Sequence, residues 1–171
     1  LTVAVPPTSQ TEHASMSVLS EAPATGKTVA LTIDLGDTAT RESVNAILDD
    51  LSSRGVTCTF FVTGWFIETH PSLVDAIVSR GHDIGNHTDT HPHCPQISAD
   101  AFRDELQTVE RLLSERGLAI TPPKYYRPPF GEYDRTTTSL AAQMGYRTVM
   151  WSTTSVDWDP STDPDAAAKR V

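Results

Sequence analysis

The chain has 171 residues, with 13 Lys and Arg against 22 Asp and Glu, and its formal net charge at neutral pH is −9. Nucleic acids and anionic membrane surfaces bind through clusters of basic side chains, so this acidic balance argues against both as partners. No apolar run approaches the about 18 residues that a membrane span needs, and the 38% share of hydrophobic residues is typical of a globular domain. The two cysteines, Cys58 and Cys94, are too few for a disulfide scaffold, and Cys58 is predicted to be a buried filler, with a bridge to Cys94 as the alternative.

The amino-terminal part of the chain differs in composition from the rest. Residues 1–26 are rich in Pro, Ser, Thr and Ala, which is typical of a linker or an added edge element. Residues 27–171 are assigned to one domain, which suits the usual length of a single folded unit. The chain begins at Leu1 rather than Met, and we expect an exported protein, secreted or associated with the cell envelope, whose leader was removed.

After this segment, short apolar runs alternate with amphipathic helical segments. Strands are predicted at four runs, residues 28–33, 57–62, 82–85 and 147–151. Helices are predicted where apolar residues share one face, at Val44, Ile47, Leu48 and Leu51 and, in a longer helix, at Phe102, Leu106, Val109 and Leu113. This alternation predicts parallel βα units, in an open doubly wound sheet or a barrel, with working residues at the carboxyl ends of the strands. No glycine-rich phosphate loop follows a strand, so nucleotide binding has no support.

Polar residues with metal-binding or acid–base chemistry follow the first and third strands. Asp34 and Asp37 lie at the end of the first strand, where an Asp is also a common turn or helix-cap residue. His87 and His91 follow the third strand at the spacing i, i+4, and one helical turn would bring their imidazoles to one face, as in a zinc pair. A His-rich surface loop is the alternative for this segment.

Two later segments add an arginine and two tryptophans. Arg127 opens a stiff Pro-rich turn, either as an exposed loop residue or as a guanidinium held so that it forks onto a carboxylate. Trp151 ends the last predicted strand, and Trp158 follows it. They are either core residues or aromatic faces of the kind that hold sugar rings.

Taken in order, these segments resemble the polysaccharide deacetylases of the NodB-homology type, carbohydrate esterase family four. The family motifs T-F-D-D-G, H-[ST]-x-x-H, R-P-P-[YF]-G and D-x-x-D-W are matched by TIDLG from Thr32, HTDTH from His87, RPPFG from Arg127 and TSVDW from Thr154. The resemblance covers residues 27–171. It implies an α/β fold, an irregular or incomplete (β/α) barrel that lacks its last strand in this chain.

The resemblance also implies an activity, the hydrolytic removal of N- or O-linked acetyl groups from a polysaccharide such as chitin, peptidoglycan or xylan. In this family a divalent metal, here expected to be Zn²⁺ with Co²⁺ or Ni²⁺ also suitable, lowers the pKa of a bound water from about 15.7 toward about 7. His87 and His91 resemble the two imidazole ligands, and Asp34 resembles the catalytic base. Each imidazole needs a partner that fixes its tautomer, and Asp89 is either such a partner or a solvated loop carboxylate.

The remaining site residues are also carried over by resemblance. Arg127 matches the arginine that pairs with the base and would keep Asp34 ionised. Phe130 stands at the aromatic position whose backbone N–H helps to bind the oxyanion of the tetrahedral intermediate. The other implied residues are Pro129 and Trp158 in the substrate pocket and Asp157, which orients a catalytic histidine.

Three positions depart from the family pattern. Leu35 replaces the metal-binding Asp, so either Asp37 supplies the carboxylate or the metal has only two imidazoles and waters as ligands. Thr154 replaces the first Asp of the fourth motif. None of the six histidines matches the family L-x-H motif, whose His protonates the leaving group. A separate C-terminal fragment is therefore an expected partner, and a catalytically silent carbohydrate-binding or cell-envelope accessory protein is the alternative function.

Overall fold

A computed structural model describes residues 18–21, 28–159 and 161–170 of the chain. Five parallel strands form one sheet in the order β1 to β5: Thr32–Leu35, Thr59–Val62, Asp83–Asn86, Lys124–Tyr126 and Tyr146–Thr148. The described helices are α1 (Arg41–Arg54), α2 (Gly64–Thr69), α3 (Pro71–Ser79), α4 (Ala99–Ser114), α5 (Arg135–Gln143) and α6 (Pro164–Ala168). Short 3₁₀ turns span Cys94–Gln96 and Pro129–Gly131.

The strand order decides between the two predicted architectures. Each strand pairs with the next strand in the chain, so the order never reverses as it does in a doubly wound sheet. Among the described residues the sheet is open, with β1 at one edge. The predicted α/β class and the incomplete (β/α) barrel are confirmed.

The strand bounds differ from those that the sequence predicts. The first strand begins at Thr32 rather than at residue 28, and Val29 is 74% exposed although it is apolar. The last strand covers Tyr146–Thr148 and ends before Trp151. Strand β4 was not predicted, because three residues before Arg127 are too few to show an alternating pattern. Apolar content therefore located four of the five strands but did not fix which of their residues pair.

Helix α1 shows how local sequence places the helices behind the sheet. Thr40 caps its start, accepting a hydrogen bond from the Ser43 N–H at 3.1 Å. Gly55 ends it in the left-handed conformation, with φ of 63°, which a residue without Cβ adopts without strain. Its buried side chains Val44, Leu48 and Leu51 belong to the face that the sequence predicts.

The core lies between the sheet and the helices. Phe60 from β2 and Tyr126 from β4 are fully buried in this core, and the Tyr126 ring packs edge-on against Phe102 of α4. Cys58 belongs to this core and is a free thiol, as predicted, and Cys94 is also buried and free.

The described part of the amino-terminal segment lies beside β5. Leu19 forms a parallel bridge with Val149, donating to the Thr148 carbonyl at 2.9 Å and accepting from the Met150 N–H at 2.7 Å. Residues 18–21 therefore extend the β5 edge of the sheet, and most of the predicted linker 1–26 lies outside the described residues. None of the described helices is both long and apolar enough to cross a membrane.

Candidate active site

The carboxyl ends of three strands bring the predicted polar residues to one edge of the sheet. Asp34 lies near the end of β1, His87 directly follows β3, and Arg127 directly follows β4. Because these strands are parallel neighbours, side chains at their carboxyl ends meet although they are far apart in sequence.

Asp34 and Arg127 form an ion pair. Arg127 Nη1 donates to Asp34 Oδ1 at 2.7 Å, while Nη2 donates to Thr32 Oγ1 at 2.8 Å and to the Met150 carbonyl at 3.2 Å. The guanidinium also lies over the Phe61 ring, 4.2 Å from its centroid. The pairing is therefore single rather than forked, because the second terminal nitrogen is used to fix the guanidinium. Among the described residues, Asp34 Oδ2 accepts no hydrogen bond, so it can accept one from a further donor.

His87 is the buried imidazole of the site. Its Nδ1 lies 2.8 Å from the carbonyl oxygen of Arg127, and since a carbonyl only accepts, Nδ1 carries the proton. Nε2 then bears the lone pair, and it lies 3.8 Å from Asp34 Oδ2. Burial lowers the pKa of His87, which favours the neutral form that binds metals. The partner that fixes its tautomer is thus a main-chain carbonyl and not Asp89.

The segment 87–91 brings two imidazoles together without forming a helical turn. Thr88 and His91 have positive φ values of 68° and 58°, so the expectation of a helical turn is wrong. The ring centroids of His87 and His91 are nevertheless 4.9 Å apart. Burial also lowers the pKa of His91, against the opposing effect of Asp37 and Asp34. Both rings are therefore held close together in the neutral form.

Hydrogen bonds within the loop and from helix α4 fix this unusual backbone. Asn86 Oδ1 accepts from the Thr88 N–H at 2.9 Å, and Thr88 Oγ1 accepts from the His91 N–H at 3.2 Å. Glu105 of α4 accepts hydrogen bonds from Asp89 and Thr90. Sequence reasoning missed Glu105. The available signal is its place three residues after the buried Phe102, at the border of the face that α4 buries.

An aromatic rim borders the site. Phe130, with φ of 57° and 56% of its surface exposed, lies with its ring centroid 4.6 Å from that of His91. His93 stacks on Phe130 at 4.3 Å and donates from Nδ1 to Glu132 at 2.8 Å. The Trp151 side chain lies beside Gly131, which follows Phe130 in the same turn. His93 and Glu132 were not predicted as part of the site, although the sequence shows the cluster of histidines.

The donor set for a metal consists of two imidazoles. Among the described residues, no group of three or more His, Cys, Asp or Glu side chains could hold one ion. Leu35 is 3% exposed and belongs to the core, and Asp37 is exposed in the turn after β1. Two neutral imidazoles fit a divalent ion whose other positions are open to water and substrate, and do not fit a closed structural site. Asp37 as a third ligand stays a prediction.

Three predicted site residues, Asp157, Trp158 and Pro129, form no hydrogen bond with Asp34 or Arg127 in the described structure. Asp157 accepts a hydrogen bond from Ser155 Oγ, and Trp158 is 78% exposed. Within the part of the chain that the structure describes, no hydrogen bond or ion pair joins either residue to Asp34 or Arg127. Pro129 is buried in the turn and presents little surface to a ligand. The roles of these three residues stay predictions.

Comparison with known proteins identifies the family. The sequence model described as polysaccharide deacetylase matches residues 21–149. The chain therefore belongs to the polysaccharide deacetylase family, as the four motifs predict.

Individual relatives show how much of each related protein the similarity covers. It is 38% identical over 130 residues to a peptidoglycan-N-acetylglucosamine deacetylase of Bacillus cereus, covering 76% of this chain and 46% of that protein. A family 4 carbohydrate esterase from Streptomyces lividans, solved in complex with acetate, has a TM-score of 0.75 at 32% identity, over 86% of this chain and 73% of that one. A family 4 pseudoenzyme from Bacillus anthracis also has a TM-score of 0.75, at 28% identity over 83% of this chain and 49% of that one. The chain spans about half the length of the curated relatives it matches.

Proposed function

We propose that this chain carries the site of a metal-dependent hydrolase that removes acetyl groups, N- or O-linked, from a polysaccharide. The observation that carries the proposal is the position of Asp34. Its Oδ1 is paired with Arg127 at 2.7 Å, and its Oδ2 lies 3.8 Å from the lone-pair nitrogen of His87. A carboxylate beside a metal-ligating nitrogen is where a general base must lie to deprotonate a water.

The residues divide the chemistry among them. A divalent ion bound by His87 and His91 would polarise the acetyl carbonyl and lower the pKa of a water. Asp34 accepts the proton of that water through Oδ2, because Oδ1 is occupied by Arg127. Arg127 orients the carboxylate through this ion pair, and Thr32 and the Met150 carbonyl hold the guanidinium in place. Phe130 is exposed beside His91, and by resemblance to the family its backbone amide would bind the oxyanion.

The substrate is proposed from the family and from one relative. We propose an acetylated cell-wall polymer, with peptidoglycan as the first polysaccharide to test, because the Bacillus cereus relative is named for that substrate. The aromatic rim formed by Phe130, His93 and Trp151 offers faces on which a sugar ring stacks. We propose a location outside the cell or in its envelope, because cell-wall polymers are found there. Zn²⁺ is the proposed metal, with Co²⁺ and Ni²⁺ as alternatives.

Acetate release tests the activity directly. Zinc-loaded protein is incubated with peptidoglycan, an acetylated chito-oligosaccharide or acetylxylan, with and without a chelator. Asp34→Asn is expected to slow release by about 10²- to 10⁴-fold, the usual contribution of a general base. Asp50→Asn, an exposed carboxylate on α1, is the matched control and is expected to match the wild-type rate. Acetate release that survives both the chelator and Asp34→Asn would refute the proposal.

Zinc titration tests the ligand set independently of turnover. His91→Ala is expected to abolish binding of one Zn²⁺ per chain, because only one imidazole then remains. Asp37→Ala decides whether the turn after β1 supplies a third ligand. Unchanged affinity would remove Asp37 from the set, and a loss of tenfold or more would include it.

A catalytically silent carbohydrate-binding or envelope accessory protein is the second candidate. The observation that favours it is the buried Leu35 at the position of the family's metal-binding Asp, together with the lack, among the described residues, of a group of three His, Cys, Asp or Glu side chains that could hold an ion. The similarity to a pseudoenzyme shows that the fold also occurs in a protein described as inactive. Binding of a polysaccharide without acetate release, in protein saturated with Zn²⁺, would favour this function over the hydrolase.

A further inference from the structure

The loop 87–91 carries backbone conformations that its own sequence does not favour. Thr88 and His91 both have positive φ, and the side chain of a Thr is branched at Cβ, which disfavours that region. Such conformations persist where contacts from outside the segment determine the backbone. The first half of the loop has its contact in Asn86, which accepts from the Thr88 N–H.

The second half of the loop is held by Glu105. Glu105 Oε2 accepts from the backbone N–H groups of Asp89 and Thr90, both at 2.8 Å. Glu105 Oε1 accepts from Thr90 Oγ1 at 2.6 Å. One carboxylate therefore binds three donors of two consecutive residues, and hydrogen bonds to an ionised acceptor are stronger than neutral ones.

Glu105 is itself held in place. It lies in α4 between Phe102 and Leu106, both of which are buried in the core, so the backbone that carries the carboxylate is fixed. The Asp89 side chain lies apart from these bonds, against Gly64, where a Cβ on that glycine would come within 2.0 Å of Asp89 Oδ1. The contact with Glu105 is thus made by the loop backbone and by Thr90.

We propose that Glu105 is a positioning residue for the metal site, acting on His91 through the backbone of Asp89 and Thr90. His87 is fixed separately, by the carbonyl of Arg127, so Glu105 sets where the second imidazole lies relative to the first. This inference rests on the proposed function in that the two imidazoles bind the metal. Without the Glu105 carboxylate, Thr90 is no longer held in place, and the rings of His87 and His91 can move apart.

The variants are Glu105→Ala and Glu105→Gln in the full chain. Asp104→Ala is the matched control, because it removes an exposed carboxylate from the adjacent position of the same helix. Two quantities are measured: the dissociation constant for Zn²⁺ by calorimetry, and hydrogen exchange of the Asp89 and Thr90 amides in metal-free protein. Exchange along α4 and circular dichroism report whether the variants are folded.

Glu105→Ala is expected to weaken Zn²⁺ binding by about 10- to 100-fold, the usual effect of losing a residue that orients a ligand. The Asp89 and Thr90 amides are expected to exchange at least tenfold faster, with α4 unchanged. Glu105→Gln should fall between Ala and wild type, because its one carbonyl oxygen accepts without a charge. Asp104→Ala should stay within twofold of wild type in both measurements.

Three results would overturn the inference. The first is Zn²⁺ affinity of Glu105→Ala within twofold of the control. The second is unchanged exchange at Asp89 and Thr90, and the third is an equal gain in exchange throughout α4, which would indicate general destabilisation. If Glu105→Ala does not fold, Glu105→Gln carries the same comparison. If the wild-type chain binds no Zn²⁺, the proposed function fails, and exchange in the metal-free loop alone decides whether Glu105 holds it.

Discussion

His87 donates a hydrogen bond from Nδ1 to the carbonyl oxygen of Arg127 at 2.8 Å, while the side chain of that same arginine donates to Asp34 at 2.7 Å. One position after β4 therefore orients an imidazole with its main chain and a carboxylate with its guanidinium. The two functions separate under mutation, since a side-chain substitution leaves the carbonyl in place. The tautomer of His87 is then set by the backbone carbonyl of Arg127, and the orientation of Asp34 is set by the Arg127 side chain.

Arg127→Met is expected to lower the free energy of unfolding by about 2–3 kcal/mol, because it removes hydrogen bonds to three acceptors and leaves Asp34 without its partner. Asp34 is 36% exposed, which keeps the loss below that of a fully buried ion pair. Urea unfolding followed by circular dichroism measures the change. Arg127→Lys should retain part of the stability, since a single ammonium cannot reach all three acceptors.

Arg54→Met is the control for this substitution. Its exposed pair with Asp50 on α1 is worth about 0.5 kcal/mol or less. Equal destabilisation by Arg54→Met and Arg127→Met would contradict the assignment of Arg127 as the anchor of Asp34. The Nδ1 proton of His87 should remain in Arg127→Met, which nitrogen-15 spectra of the imidazole can detect.

Leu35→Asp restores the family's carboxylate at a position that is now part of the core. Leu35 is 3% exposed and pairs in register with Val62, so an Asp there buries a charged group. We expect the metal-free variant to lose about 2–4 kcal/mol of stability, compared with a smaller loss for the neutral Leu35→Asn. Urea unfolding with and without Zn²⁺ measures both variants.

The increase in stability on adding Zn²⁺ then shows whether the side chain at position 35 binds the metal. If the Asp side chain turns toward His87 and His91, Zn²⁺ should stabilise Leu35→Asp more than wild type, because a ligand that binds only the folded state raises its stability. Equal stabilisation of Leu35→Asp and Leu35→Asn by Zn²⁺ would show that the carboxylate stays in the core. A metal-free Leu35→Asp as stable as wild type would contradict the burial of this side chain.

The fold class could be predicted from the sequence because two signals depend only on residues that are close together in the chain. These are the alternation of strands with helices and the apolar face of each helix. Val44, Leu48 and Leu51 fall on one face of α1 as their spacing requires. Strand β4 escaped prediction, since its pairing with β3 rests on Asn86 and Tyr126, which are far apart in sequence. Periodicity reports which face of an element is buried, and it carries little information on which neighbour that element pairs with.

Sequence could predict the part of the candidate site that lies at strand ends, but not the residues that act from elsewhere in the fold. Asp34, His87 and Arg127 each follow a strand, and the carboxyl ends of parallel strands meet, so their proximity follows from topology. Glu105 could not be found in this way, because it acts from the middle of a helix through backbone N–H groups that no residue pattern marks. The helical geometry expected for 87–91 failed because Asn86 and Glu105 offer those N–H groups other acceptors.

Both cysteines should be unreactive in the native protein. Burial raises the pKa of Cys58 to about 12 and that of Cys94 to about 11, and only the thiolate reacts with disulfide reagents. At pH 8 we expect native protein to react with a chromogenic disulfide at least about 100-fold more slowly than protein unfolded in guanidinium. The unfolded sample is the control and should release two equivalents of chromophore per chain. Rapid reaction of either thiol in the native state would contradict the packing around β2 or the Cys94–Gln96 turn.

His82 makes the stability of the domain depend on pH. It is 5% exposed and lies directly before β3, where Nδ1 accepts from the Cys58 N–H at 3.3 Å, and its Nε2 has no hydrogen-bond partner among the described residues. Burial lowers the pKa of His82 below 6.5, with the positive charge of Arg80 adding to the effect. Below about pH 6.5 the unfolded chain therefore binds more protons than the folded one, so stability falls as the pH decreases toward the folded-state pKa.

His82→Asn separates this contribution from those of His87 and His91, whose pKa values are also lowered by burial. The Asn Oδ1 takes the place of Nδ1 as acceptor for the Cys58 N–H and has no proton to bind in this range. Between pH 7.5 and 5.5, the variant should lose less stability than wild type by up to about 1.4 kcal/mol, measured by urea unfolding in metal-free buffer. The variant is less stable than wild type at pH 7.5, because it fills less of the core beside Phe60, so the comparison rests on the slope with pH. If the free energy of unfolding changes equally with pH in the two proteins, His82 is protonated equally in the folded and unfolded chains. Its burial would then not destabilise the folded protein at low pH.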